Sequence, residues 1–212
     1  RMYERYDEGR QLMTQHWPYG EMGMAMQNPY WIINRNMFNN DRDRYMANAG
    51  LKYKVFDWMD ISGRVRIDNA NTRHTKKLYA STDAKFAQSK GYYGDRKDVD
   101  KQLYADFLVN INKRFNDFDL TANVGASIQD VSMDYVGAEG QLSMIPNFFT
   151  LHNVDLGANN SRIKQDGWKE QTQSVFASAE LGWKSMIYLS ATARNDWSSA
   201  LVNTPNSSFF YP

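Results

Sequence analysis

Residues 51–68, LKYKVFDWMDISGRVRID, alternate apolar and polar side chains on both sides of a short aromatic and acidic knot. Leu51, Tyr53 and Val55 alternate with Lys52 and Lys54, and Ile61, Gly63, Val65 and Ile67 alternate with Ser62, Arg64, Arg66 and Asp68. Successive side chains of extended backbone point to opposite sides, so a period of two marks a strand with two unlike faces. The stretch predicts a hairpin with FDWMD as its turn.

The same pattern recurs along the chain. Residues 42–55 set Tyr45, Ala47, Ala49, Leu51, Tyr53 and Val55 against Arg42, Arg44, Met46, Asn48, Gly50, Lys52 and Lys54. Strands are predicted next at 61–73, 101–113 and 118–131, with Phe107 and Val109 on the apolar face of the third and Val124 and Ala126 on that of the fourth. Two more cover 174–183, with Val175, Ala177, Ala179, Leu181 and Trp183 on one face, and 187–196, with Ile187, Leu189, Ala191 and Ala193. The connections FDWMD, RFNDF and WKSM are short, whereas long loops are expected near 1–41, 74–98, 132–167 and 198–208. The first of these is read as a loop holding one strand near its start, with a Met cluster (Met22, Met24, Met26) acting as packing filler.

Runs such as 42–55 and 118–131 exceed the roughly five or six residues usual in soluble sheets. They suffice for the roughly 9–11 residues with which a tilted strand crosses a bilayer. Short turns on one rim and long loops on the other are the habit of outer-membrane barrels. Lys, Arg, Asp, Asn and Gln line the polar face, and a dry interior could not hold so many charges. The predicted class is therefore all-β, with antiparallel strands of a transmembrane β-barrel whose polar face meets water and whose apolar face meets lipid. The alternative is a soluble β-sheet module of a secreted protein, carbohydrate-binding or adhesive. That alternative buries the Leu51, Tyr53, Val55, Val65, Ile67, Phe107, Val109, Val124 and Ala126 side against a second sheet, whereas the barrel exposes it as a continuous belt.

Composition narrows the choice. With 25 Lys and Arg against 24 Asp and Glu, the 212-residue chain lacks the basic field of a nucleic-acid binder. It has no Cys, which excludes disulfide frameworks, thiolate zinc sites and Cys nucleophiles. Apolar runs are far shorter than the roughly 20 residues of a spanning helix, so a bilayer would be crossed by strands. Aromatic content of 14% beside a mean hydropathy of −0.68 fits a polar lumen and loops with aromatic girdles at the interfaces. Phe56 and Trp58 would take such interfacial places. The ends RMYERYDEGR and SSFFYP carry neither a leader nor a tail pattern and are expected to be internal to something longer.

NPYWIINRN (28–36), followed by DRDRYMANAGLKYKVFDWMDISGRVRID (41–68), resembles the SusC/RagA family of TonB-dependent outer-membrane transporters. The shared features are an Asn-Pro-Tyr-Trp segment, a strand, a turn with Trp beside an acidic residue, and a strand of Gly-Arg type. SVFASAELGWKSMIYLSATARNDWSSALVNTPNSSFFYP is similar to the family's strand, turn, strand and Arg-x-Asp-x-Ser-Ser run, with Arg194, Asp196, Ser198 and Ser199 in the familiar spacing. Trp197 departs from the Gly often found there. The resemblance implies a barrel of about 22 strands around a plug, in the bacterial outer membrane, importing oligosaccharide or oligopeptide nutrients. It also implies a SusD-like surface lipoprotein and the TonB complex as partners, beside membrane lipid and the glycan or peptide ligand. No plug or TonB-contacting segment is recognisable, so residues 1–212 are expected to form a partial barrel domain of about six to eight strands.

Sites of bond chemistry are not legible, and no cofactor is expected. His16, His74 and His152 follow no metal-ligand spacing, and Asp41 and Asp43 lack the glycine and terminal Glu of a calcium loop. No nucleophile elbow, phosphate loop or dinucleotide fingerprint is present, which disfavours a β-rich hydrolase. Asp98 and Asp100 would need a second carboxylate across a cleft to act on glycosides, and they read as a solvated strand entrance. Asn159 and Asn206 sit in glycosylation-type triplets, idle sequence in a bacterial envelope protein. Arg194 and Asp196 read as a structural pair at a strand end. The loop aromatics Tyr92, Tyr93, Phe148 and Phe149 could stack on a ligand or hold the loops together.

Overall fold

The computed structural model describes residues 2–19, 26–87 and 89–201, together with the backbone of 208–211. Two strands, β1 (Glu4–Asp7) and β2 (Leu12–Gln15), pair as an antiparallel hairpin. A short helix α1 (Pro29–Arg35) follows. Seven strands then form one sheet in sequence order: β3 (Asn36–Phe56), β4 (Met59–Leu78), β5 (Tyr92–Phe115), β6 (Phe118–Gln141), β7 (Arg162–Trp183), β8 (Ile187–Ser198) and β9 (Ser208–Tyr211). The Met cluster lies partly outside the described residues, and of it only Met26 is seen, exposed.

Helix α1 departs from the sequence reading: residues 1–41 hold a hairpin and a helix in place of one strand within a loop. The local signal is present. Asn28 caps the helix, its side-chain oxygen accepting from the Tyr30 amide at 2.9 Å, and Pro29 fills the first turn, where its missing N–H costs nothing. The Asn-Pro-Tyr-Trp segment is thus a helix start that delivers Trp31, fully buried, to the Thr82 hydroxyl at 3.0 Å.

The strands also run further than alternation suggests. The loops expected over 74–98 and 132–167 contract to 79–91 and 142–161, because β4 reaches Leu78, β5 starts at Tyr92, β6 reaches Gln141 and β7 starts at Arg162. Four of the strands are thereby 20 to 24 residues long. Alternation fails there because both faces carry charge. Arg73 pairs with Asp95, while Asp98, an odd number of residues further along β5, pairs with Arg96. Without an apolar face, a period of two has no hydropathy signal.

The chain divides into two compact units. Unit 1 comprises residues 1–43, 71–99 and 134–167; unit 2 comprises 44–70, 100–133 and 168–212. Unit 1 has a conventional interior. Leu78, Ala87 and Tyr92 form one buried cluster, and Tyr93, Leu142 and Val154, with Phe149 packed on them, form another. Its loops are tied by side chain to backbone bonds. Ser81 accepts from the Gln15 amide at 2.8 Å, and Asn147 accepts from the Ala80 amide at 2.7 Å. Asn153, 1% exposed, accepts from the amides of Met144 and Ile145 and donates to the carbonyls of Ile145 and Phe148. All four hydrogen-bonding places of its amide are filled.

Unit 2 is ordered by register and tight turns. β7 and β8 pair with Val175 opposite Asn195, Ala177 opposite Ala193, Ala179 opposite Ala191, Leu181 opposite Leu189 and Trp183 opposite Ile187. Apolar thus meets apolar, with Asn195 the exception, and Ser178 opposite Thr192 and Glu180 opposite Ser190 continue the polar face. The turns fall in the three short segments. Asn116 adopts a positive φ of 49°, and Lys184 and Ser185 adopt 51° and 55°, the left-handed geometry that matches the twist of a tight hairpin. On the polar face, Gly125 makes room for the ring of Phe176, which a Cβ would meet at 2.6 Å, and the Arg194 guanidinium lies over that ring at 5.6 Å. Phe176, a bulky aromatic on the polar side of β7, is therefore packed across a glycine.

Candidate functional site

Two faces and one rim of unit 2 and one cleft of unit 1 are the candidates for function. On the apolar side of unit 2, Leu51 is 77% exposed, Tyr53 63%, Phe107 51% and Val124 49%. Val65, Ile67 and Ala126 are exposed as well, and Val55 and Val109 are half-buried. None of the nine diagnostic residues is buried, and among the described residues no second sheet packs on them. A water-facing surface would not normally gather so many large apolar side chains.

The polar side of unit 2 carries cross-strand ion pairs. Arg44 on β3 pairs with Asp68 on β4 through two bonds of 2.8 and 2.5 Å. Asp60 on β4 receives Lys52 from β3 at 3.2 Å and the Asn110 amide from β5 at 2.7 Å. Arg64 reaches Asp106 on β5 at 3.0 Å, and within β8 Arg194 reaches Asp196 at 2.9 Å, with Ser174 of β7 bonded to both. The recurring feature is a recessed acid under a long base: the Asp106 side chain is 5% exposed and that of Arg64 71%. Short carboxylates lie on the sheet, and the aliphatic stems of the bases cover them.

The turn-bearing rim of unit 2 is aromatic and cationic. Phe56 and Trp58 stack with ring centroids 5.2 Å apart, and the Lys113 ammonium sits 4.6 Å from the Trp58 ring. Lys184 sits 5.2 Å from Trp183. Such a belt suits a boundary where one side is apolar and the other wet.

In unit 1, a cleft of about 390 Å³ is bordered by Phe38 and Asn40 of β3, His74, Thr75 and Lys76 of β4, and residues of β5, β6 and β7. His74 Nδ1 lies 2.7 Å from Asn40 Oδ1, and its Nε2 lies 3.4 Å from Asp98. Arg96 holds Asp98 at 2.5 Å and lies over the Tyr135 ring at 4.2 Å. Gly137 permits this, because a Cβ there would come within 2.7 Å of the Arg96 Cβ. Lys76 pairs with Glu139 at 3.7 Å. The Arg73 guanidinium holds Asp95 below the usual carboxylate range by hydrogen bonding. Burial first, and then the Asp95 charge, raises the Tyr93 hydroxyl above its ordinary value. Burial and Glu139 push Tyr92 up to about 12.

The residues singled out from sequence scatter. Only His74 of the three histidines enters the cleft; His16 and His152 are exposed on the segments after β2 and β6, and no group of three His, Asp or Glu suited to a metal occurs among the described residues. Asp41 and Asp43 are exposed on β3. Asp98 is a correction: it is buried inside β5 and paired, not at a solvated strand entrance, because the strand begins at Tyr92; Asp100 is half-buried. Asn159 is exposed in the loop after β6, and Asn206 lies outside the described residues. Arg194 and Asp196 do pair, joined by Ser174, while Ser198 bonds Glu170 and Ser199 accepts from the Gln171 amide. Trp197 is 44% exposed. Of the four loop aromatics, Tyr92 and Tyr93 are buried in β5, Phe149 packs on Tyr79 and Tyr93, and only Phe148 is displayed. Arg162 and Lys164, at the cleft edge, are not singled out by the sequence; they fall in a segment that reads as loop, and only the pairing of β7 places them there.

No family model matches the chain, and no curated protein matches it. Solved structures do. The chain is similar to a chain of the RagAB peptide transporter with a TM-score of 0.78 at 17% identity, over 98% of its own length and 22% of that chain. For the RagAB peptide importer in its open-open state the TM-score is 0.77 at 17% identity, covering 99% of this chain and 22% of that one. In the closed-closed state it is 0.72 at 18% identity, covering 87% and 20%. The chain therefore has the fold of about a fifth of a RagAB transporter chain. The all-β antiparallel class and the resemblance read in NPYWIINRN and the Arg194 to Ser199 run are borne out at the level of the fold.

Proposed function

We propose that residues 1–212 are part of the barrel domain of a TonB-dependent outer-membrane importer, which binds nutrient oligosaccharide or oligopeptide and passes it inward without bond chemistry. One observation carries this: unit 2 shows large apolar side chains on one face of a single sheet and recessed ion pairs on the other. That distribution is inside out for a water-soluble sheet and right for lipid on one side and a wet lumen on the other. Residues 44–70, 100–133 and 168–198 hold the membrane crossings, with the Phe56, Trp58 and Trp183 rim at one interface. The two edge strands of the sheet, β3 and β9, need further strands beside them in lipid, where an open edge leaves backbone groups unpaired. This supports a larger closed barrel of about 22 strands. A SusD-like surface lipoprotein and the TonB complex are its partners, by the likeness to the RagAB transporter and to the SusC/RagA family.

The test uses the absence of cysteine from this chain. Leu51→Cys and Lys52→Cys are made singly in the full-length protein, whose other cysteines, if any, are replaced. Cells are fractionated and labelled with a lipid-soluble and a water-soluble thiol reagent. Leu51→Cys takes the lipid-soluble reagent and Lys52→Cys the aqueous one, both in the outer-membrane fraction. Recovery of the protein in the aqueous fraction without detergent, or aqueous labelling at both positions, overturns the reading in favour of a soluble sheet module.

A further inference from the structure

We infer that the unit 1 cleft is a subsite for the carboxylate of an acidic oligomer, a deepening that rests on the importer reading above. The charges of the cleft do not balance. Asp98 is held by Arg96 and His74, and Glu139 by Lys76, whereas the Arg73–Asp95 pair belongs to the opposite face of the sheet. Arg162 and Lys164 also line the cleft, both exposed, and no carboxylate of the described residues lies within ion-pair distance of either. They stand two apart on β7, so they share a face with a spacing of about 6.5 Å along the strand, and two long side chains so placed converge on one carboxylate.

The rest of the wall fits the same ligand. Asp98 and Glu139, carboxylates on the cleft face of the lining strands β5 and β6, each have a base of their own, so neither meets an incoming anion as a bare charge. Asn40 offers a neutral hydrogen-bonding group, and Phe38, 65% exposed, provides an apolar plate at the edge for the uncharged part of an oligomer. A guanidinium binds a carboxylate through two parallel bonds and an ammonium adds a point charge, a pairing that a neutral sugar or a capped peptide cannot use. The carboxylate can belong to a peptide, at its C terminus or an acidic side chain, or to a uronic acid.

The experiment measures binding to the purified full-length protein by calorimetry at low and moderate salt. Four probes are used: a hexagalacturonate, a penta-alanyl-aspartate peptide, and as neutral counterparts maltohexaose and C-terminally amidated hexa-alanine. At least one acidic probe binds tighter than its neutral counterpart by about tenfold or more, and its affinity falls as salt rises. R162Q/K164Q removes that preference and the salt dependence, while R162K/K164R keeps most of both. The uronate and peptide arms show which source supplies the acid. Equal binding of acidic and neutral probes, acidic binding unchanged in R162Q/K164Q, or no binding of any probe at millimolar concentration overturns the subsite. The importer reading is judged separately, by the membrane fraction and thiol labelling of the same variants, and survives any of those results.

Discussion

Units 1 and 2 are built largely from the same strands, yet they obey opposite rules of burial. Unit 1 encloses Trp31, Leu78, Tyr92, Tyr93 and Leu142 and fastens its loops with buried amides such as Asn153 and Gln15. In unit 2 the only buried hydrophobic residue described is Ala70, and the other buried side chains named there are Ser174 and Asp196. A strand such as β5 thus carries buried Tyr92 and Tyr93 in one unit and exposed Leu103 and Phe107 in the other. Backbone hydrogen bonding is common to both, so the sheet ladder does not explain the contrast. Unit 1 is stabilised as a water-soluble fold is, by removing apolar surface from water, whereas unit 2 leaves that surface outside, where on the proposed importer reading lipid would be its solvent.

The sharpest way to break this comparison is to remove an interior anchor. Trp31→Ala deletes a fully buried indole and its bond to Thr82, which also donates to Asn36 at 3.0 Å. A loss of about 3–5 kcal/mol is expected. Hydrogen exchange on the full-length protein reads where the loss falls. Amides of 79–87 and of α1 lose protection by orders of magnitude, while those of 100–133 keep theirs. Equal loss in both units would mean that unit 2 depends on the same core, and the contrast would fail.

The second test works on the other unit. Val124 is on the apolar face of β6 and Asn123, its neighbour, on the polar one, where its amide donates to Ser178 at 3.2 Å. On the proposed importer reading Val124→Arg places a cation in lipid and costs about 2–4 kcal/mol near the bilayer midplane. Asn123→Arg faces water and costs about 1 kcal/mol or less. Urea unfolding from lipid vesicles measures both. A soluble sheet would rank them together, since an arginine on an exposed strand position in water is tolerated at either site.

These contrasts explain what can be read from the sequence. Alternation is visible where one face is apolar and the other polar, which is why the strands, short turns and face assignments of unit 2 are legible from Leu51, Val124 or Leu181 and their neighbours. Where β4 and β5 have water or ion pairs on both faces, as at Arg73, Asp95 and Asp98, the pattern vanishes and a strand reads as a loop. The candidate site suffers doubly. Its cations Arg162 and Lys164 are ordinary surface residues until β7 brings them to the cleft, and Asn153 gives no sign that it organises the loop around it. Helix α1 is the opposite case: Asn28 and Pro29 do announce it, but seven residues are too few to establish a helical period.

The smallest effect asks whether the polar pairs of unit 1 behave as those of a water-exposed fold. Asp95 is recessed, 16% exposed, under an Arg73 side chain that is 58% exposed, and the Arg73 hydrogen bond lowers its pKa from the ordinary 3.8. A carboxylate whose pKa is lowered by folding adds stability at pH values above 3.8, and that contribution is lost as pH falls through the folded value. Solvent screening of so exposed a guanidinium holds it to about 1 kcal/mol or less. Arg73→Gln should therefore make unit 1 slightly less stable at pH 7 and leave the difference from the parent shrinking toward zero under acid, because protonated Asp95 has lost its partner in both proteins. The carboxyl signal of Asp95, followed by NMR against pH, should move up toward 3.8 in the variant. A pair sealed from water would give a much larger loss at pH 7, so a change of several kcal/mol would show that this part of unit 1 is shielded as a membrane-embedded or tightly covered site is, and would narrow the distinction between the two units.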